Sequence, residues 1–137
     1  MNYVFDTSFA GALIISDERN PRADQIRADI DEDEDIYVPQ LFWYEITNVF
    51  RKLIQRRRFT IDEVMQFYPR LSAIRLTIDN ESGVNYSKKL LRLSNDYNLS
   101  SYDAAYLELA ERKNVVLCTF DEGLRKAAKK YGVAVIK

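Results

Sequence analysis

Short apolar runs alternate with longer stretches of helical periodicity along the 137 residues of the chain. Residues 3–5, 36–38, 74–78, 115–118 and 133–136 read as five strands. These runs are mostly continuous rather than alternating with polar positions, the pattern of parallel strands covered on both faces. Between them the periodicity predicts helices over residues 8–16, 21–31, 40–57, 61–70, 82–97, 101–113 and 122–131. Strands separated by helices in this order predict an α/β fold with a central parallel sheet.

Start and stop signals support several of these boundaries. Thr60 and Glu63 have the spacing of a capping box, and Ser100 and Asp103 offer a second one. Pro39 ends the second strand just before a helix. Gly132 follows Lys129, Lys130 and Tyr131, as a left-handed glycine follows a helix whose last turn carries cations.

A hydrophobic content of 47% over this length suits one domain spanning residues 1–137. Four glycines and three prolines, scattered, leave no flexible linker or low-complexity tract. The one cysteine, Cys118, lies in an apolar run and excludes a disulfide framework. No stretch approaches the roughly 18 apolar residues of a membrane span, and the N-terminus lacks the features of a signal peptide. A soluble, cytoplasmic protein is expected. A formal net charge of −1 means that any contact with nucleic acid must be local rather than global.

The chain contains no histidine. That removes imidazole general bases, Ser/His/Asp and Cys/His nucleophiles and histidine zinc ligands. Four acids stand where strand ends and helix faces would turn them to one point: Asp6, Glu45, Asp103 and Asp121. Carboxylate oxygens alone suit hard cations such as Mg²⁺ or Mn²⁺, which commonly act on phosphate esters. Each acid also has a plainer reading. Asp6 ends the first strand, where α/β sheets gather ligands, and equally suits a helix N-cap.

Glu45 lies in a helix with an apolar stripe of Phe42, Ile46, Val49 and Leu53, projecting roughly 60° from its centre. Asn48 and Lys52 continue that flank, and a solvated or ion-paired glutamate reads as well there. Asp103, in the first turn of its helix, is favoured by the dipole, and Asp121 repeats the strand-end position of Asp6. The joint placement favours a metal site, with Ser8, Asn48 and Thr119 suited to orienting the carboxylates.

Two further charge features stand apart. The acidic run at residues 29–35 lacks the glycine and glutamate of a calcium loop and reads as a solvated loop. The basic cluster Arg51, Lys52, Arg56, Arg57 and Arg58 reads equally as a phosphate-contacting surface or as a solvated helix end.

The residues Val4-Phe5-Asp6-Thr7-Ser8, Tyr44-Glu45-Ile46-Thr47-Asn48 and Ser101-Tyr102-Asp103-Ala104-Ala105, closing with Thr119-Phe120-Asp121, resemble a PIN domain. The similarity is to the VapC-type ribonuclease toxins of toxin–antitoxin pairs, and it spans essentially the whole chain. It implies a three-layer α/β/α fold with a five-stranded parallel sheet in the order 3-2-1-4-5. It implies that Asp6, Glu45, Asp103 and Asp121 bind one or two Mg²⁺ or Mn²⁺ ions and cleave RNA through an activated water. A cognate antitoxin is the partner it suggests; the basic cluster makes Arg51, Lys52 and Arg56 the possible RNA contacts, and a homodimer is expected.

Two other enzyme classes begin with an acid after the first strand. A haloacid-dehalogenase-type phosphatase needs a second aspartate where this chain has Ser8, and a receiver domain needs a paired acid that is missing. The alternative from a different class is a non-catalytic interaction module. In it the acids are caps, and Phe9, Leu13, Phe42, Trp43 and Tyr44 mark a partner groove.

Overall fold

The computed structural model describes residues 1–136; Lys137, within the predicted domain span, lies outside the described residues. The N-terminal half runs β1 (Tyr3–Phe5), α1 (Thr7–Ile14), α2 (Pro21–Asp29), β2 (Ile36–Pro39) and α3 (Leu41–Gln55). It continues through α4 (Ile61–Met65), α5 (Tyr68–Ala73) and β3 (Thr77–Asp79) to α6 (Val84–Tyr97), α7 (Ser101–Lys113), β4 (Val116–Cys118) and α8 (Glu122–Tyr131). The sheet is parallel throughout, in the order β3-β2-β1-β4.

Consecutive residues of a strand point to opposite faces, and both Val4 and Phe5 of β1 are fully buried, so helices cover the sheet on both sides. Val38 of β2 and Leu117 of β4 are buried in the same way.

The predicted fifth strand is a correction: among the described residues the sheet has four. Residues 133–136 run parallel to β4 and exchange two backbone hydrogen bonds with Leu117, from its N–H to Ala134 O and from Ile136 N–H to its carbonyl. They form one isolated bridge, Leu117 with Val135, too short for a ladder.

The helix predicted over residues 61–70 is broken in two. Pro69 sits in the first turn of α5, where its missing N–H costs nothing, whereas in a continuous helix it would leave the Met65 carbonyl unbonded. The third strand accordingly starts later than predicted, because α5 runs to Ala73 and Arg75 adopts a left-handed φ of 58°.

Helix ends follow their caps. Thr60 and Glu63 form the reciprocal capping box, and Gly132 takes a left-handed φ of 90° after α8. Asn98 and Asn114, both at φ 54°, end α6 and α7 in the same way; asparagine tolerates this region better than most residues. The acidic loop after α2 is folded on itself. Asp31 N–H donates to Glu34 Oε1 at 2.8 Å, and Asp35 N–H donates to Asn2 Oδ1 at 2.9 Å.

Candidate functional site

Strands β1 and β4 are neighbours in register, Phe5 opposite Cys118, so the residues that follow them emerge side by side at one sheet edge. Asp6 is the N-cap of α1 and at the same time the most heavily bonded of the four acids. Its Oδ1 accepts from the Phe9 N–H at 2.9 Å and from Ser8 Oγ at 2.7 Å; its Oδ2 accepts from Thr119 Oγ1. The capping and site readings of Asp6 are therefore compatible, because a carboxylate has about four lone-pair positions and three are used.

Ser8 and Thr119 tie this acid to the chain after β4. Phe120 N–H donates to Ser8 Oγ at 3.0 Å, and Asp121 N–H donates to Thr119 Oγ1 at 3.0 Å. Asp121 caps α8 by accepting from Leu124 N–H at 2.8 Å through Oδ1, which leaves its other oxygen open.

Asp103 enters from α7. Ser100 caps that helix by accepting from the Asp103 N–H at 3.1 Å, but only this half of the predicted capping box forms. The Asp103 carboxylate makes no hydrogen bond or ion pair among the described residues. Glu45 comes from α3, where it accepts a 2.6 Å hydrogen bond from the buried Tyr106 hydroxyl of α7.

The flank predicted on α3 stands in the structure: Glu45, Asn48 and Lys52 line one open groove of about 460 Å³ together with Tyr44 and Tyr102. The buried stripe it borders includes Phe50 rather than Val49, which lies on the groove instead.

The electrostatics couple all four acids. Burial is the largest influence raising the pKa of Asp6, and it outweighs the hydrogen bonds from Thr119, Ser8 and Phe9, with the Asp121 charge adding to the rise. Burial likewise raises Glu45, opposed by the Tyr106 hydrogen bond and reinforced by Asp103 and Asp6. Asp103 is raised by burial and then by Asp121 and Asp6. No lysine or arginine pairs with any of the four among the described residues, so their mutual repulsion is uncompensated by protein cations.

Among the described residues no three or more His, Cys, Asp or Glu side chains stand gathered tightly enough to hold a metal ion as they are. The donor set nevertheless fits a hard cation, being all carboxylate, partly desolvated and short of positive charge.

Of the predicted basic contacts, Lys52 lines this carboxylate groove, in which Glu45 is the one acid among the described lining residues. Arg51 lies on a different, apolar groove with Phe50, Ile61 and Met65, and Arg56 is the exposed C-cap of α3. Arg58 is taken by Asp17 in a bidentate pair at 2.5 and 3.2 Å. The aromatic groove of the interaction-module reading does not form: Phe9, Leu13 and Phe42 are buried in the core, and only Trp43 and Tyr44 reach the surface.

Sequence reasoning missed a second charged cluster. Glu108, 3% exposed on the inner face of α7, pairs with Arg112, whose guanidinium also grips Asp79 at the end of β3 at 2.6 and 3.1 Å. Burial would raise Asp79, but the hydrogen bonds and charge of Arg112 prevail and hold its carboxyl below the usual range. The four-residue spacing of Glu108 and Arg112 was the available signal.

Comparison with known proteins accords with this geometry. The PIN domain family matches residues 3–130. The chain is 27% identical over 135 residues to Ribonuclease VapC3 of Pyrobaculum aerophilum, covering 98% of both. A solved structure from the same organism shares the fold at a TM-score of 0.70 and 23% identity, over 98% of this chain and 92% of that one. A toxin–antitoxin complex from Klebsiella pneumoniae shares it at a TM-score of 0.59 and 21% identity, over 87% and 86%. Among the described residues no helix is long and apolar enough to cross a membrane.

Proposed function

The chain belongs to the PIN domain family, and on that premise we propose that it is a Mg²⁺- or Mn²⁺-dependent endoribonuclease serving as the toxin of a toxin–antitoxin pair. The observation that carries this reading is the set of four coupled carboxylates at one sheet edge, three of them with raised pKa and none paired with a lysine or arginine among the described residues. Such a set is electrostatically costly by itself and is relieved by a hard divalent cation. The name of the Pyrobaculum relative supports RNA as the substrate, and the Klebsiella complex supports an antitoxin partner.

In this reading Asp6, Glu45, Asp103 and Asp121 hold one or two ions. A bound divalent cation supplies Lewis-acid polarisation of the phosphodiester and lowers the pKa of water. Ser8 and Thr119 keep Asp6 facing the site, and Tyr106 aims Glu45 into it. Asp103 and the open oxygen of Asp121 have free lone pairs with which to orient the attacking water. Lys52, the cation lining the groove, meets the RNA backbone. We further propose a homodimer working in the cytoplasm.

The test is cleavage of RNA by the purified protein with Mg²⁺ or Mn²⁺ and with EDTA. Metal-dependent cleavage that Asp6→Asn and Asp103→Asn abolish, with circular dichroism unchanged, is expected. RNA binding without cleavage under either metal would instead support a non-catalytic module.

A further inference from the structure

A second hollow of about 390 Å³ adjoins the carboxylate groove. The two share Leu41, Tyr44 and Tyr102, so both tyrosines stand on the ridge between them. Tyr44 is 77% exposed and Tyr102 59%, and neither makes a hydrogen bond or ring contact among the described residues. Two large aromatic side chains held in water on α3 and α7, elements distant in sequence that meet at this site, contribute nothing to the core and leave their faces open.

The chemistry of the two hollows differs. The carboxylate groove holds Lys52, the one cation among the described residues lining either of them, whereas the second hollow is lined by tyrosine, proline and leucine with the acids Asp79 and Glu81 on its wall. Both Asp79 oxygens are already engaged by Arg112. A phosphate would be repelled there; a flat, uncharged ring with N–H groups at its edge would be accepted. Gln40 at the rim donates from Nε2 to Asn80 Oδ1 at 3.2 Å and keeps its own carbonyl free to accept.

Resting on the nuclease reading, we propose that the second hollow takes one unpaired nucleobase of single-stranded RNA. Tyr102 and Tyr44 supply the stacking faces, and the nucleotide lies next to the phosphodiester held at the carboxylates. Stacking on aromatic side chains is how unpaired bases are commonly gripped, and it demands a strand free of its complement. Tyr44 and Tyr102 are thus specificity-determining residues, and a duplex cannot present its bases to the hollow.

The experiment pairs binding with cleavage on one randomised single-stranded RNA pool, using Tyr102→Ala, Tyr44→Ala and Tyr102→Phe beside the wild type. Melting curves check that each variant is folded, as expected for exposed positions. Fluorescence anisotropy in the Asp6→Asn background reads affinity on uncut RNA, and sequencing of cleaved ends reads base preference. Each alanine variant should lose about five- to 150-fold in affinity, with KM rising by a similar factor. Base preference should flatten at one position beside the cut, Tyr102→Phe should behave as wild type, and duplex RNA should compete poorly.

Wild-type cleavage with affinity and preference unchanged in both alanine variants overturns the base pocket and leaves the nuclease standing. Wild-type binding without cleavage overturns the nuclease, and the anisotropy series then decides the pocket alone. No RNA binding by the wild type with Mg²⁺ or Mn²⁺ overturns both. Alanine variants that bind RNA normally but lose a co-expressed protein partner assign the hollow to protein contact and overturn the proposal.

Discussion

The hydroxyl of Tyr106 donates to Glu45 Oε1 at 2.6 Å across 61 residues of sequence, joining the inner face of α7 to the outer flank of α3. Tyr106 is 1% exposed, so the bond fixes where the glutamate can point. Tyr106→Phe removes it while keeping the ring. Partners of this kind typically contribute ten- to a hundredfold to activity or metal affinity. We expect a fall of about that size in kcat, with metal affinity reduced and KM for RNA little changed. Steady-state kinetics with a metal titration checks it, and an unchanged kcat would show that Glu45 needs no such support.

The uncompensated charge of the site makes a thermal prediction. The Asp103 carboxylate makes no hydrogen bond among the described residues and is raised by burial and then by Asp121 and Asp6, so Asp103→Asn removes repulsion without removing any of the contacts described. In EDTA the variant should melt about 2–5 °C higher than wild type, the shift for roughly 1 kcal/mol in a chain of this size. Saturating Mn²⁺ should raise the wild type, by about 2.7 kcal/mol at a hundred times its dissociation constant, and the variant much less. Differential scanning fluorimetry at constant ionic strength separates this from general salt effects. Equal responses of the two proteins to Mn²⁺ would remove Asp103 from the ligand set.

How much of this was legible beforehand depends on the range of the interaction. Local signals sufficed for the capping box at Thr60, the left-handed Gly132 and the row Glu45, Asn48, Lys52, because each lies within a turn or one helix face. Strand ends put Asp6 and Asp121 at the same edge because a parallel sheet has one carboxyl end. The bond from Tyr106 to Glu45 and the grip of Arg112 on Asp79 join residues 61 and 33 positions apart, which no periodicity reports. The split at Pro69 follows from proline chemistry, a break that helical periodicity alone does not report. Residues 133–136 have strand composition, but among the described residues one isolated bridge is all the pairing they make.

Arg112 holds two carboxylates, and its loss has a signed pH consequence. Asp79 lies below its ordinary pKa, so its contribution is present above about pH 4 and is lost as pH falls through the depressed folded value. In Arg112→Met that contribution disappears and Glu108 is left buried without its cation, at a cost of about 3–5 kcal/mol. A carboxylate stranded in this way favours its protonated form. The variant should therefore lose stability as pH rises from 5 to 8, where the Asp79 contribution of the wild type is fully present. Urea denaturation across that range checks the slope. The double change Arg112→Met with Glu108→Gln should recover part of the loss and flatten it, and a flat profile for Arg112→Met alone would show that Glu108 is solvated in the variant.

The cations of α3 are separable because the fold sends them to different places. Lys52 lines the carboxylate groove, Arg51 faces the apolar groove by Ile61 and Met65, and Arg58 beyond the helix end is committed to Asp17 and Glu18. A cation meeting an RNA phosphate releases counterions, so each such contact adds about 0.7 to the salt slope for a single strand. Lys52→Ala should weaken binding of single-stranded RNA uniformly across sequences and reduce the salt slope by nearly that amount. Arg58→Ala should leave the slope unchanged, since its partners already neutralise it, and Arg51→Ala should do the same if the RNA keeps to the carboxylate side. Anisotropy titrations at several potassium chloride concentrations decide between the three. An undiminished slope in Lys52→Ala with a reduced one in Arg51→Ala would move the RNA path off the groove that holds Glu45 and onto the opposite flank of α3.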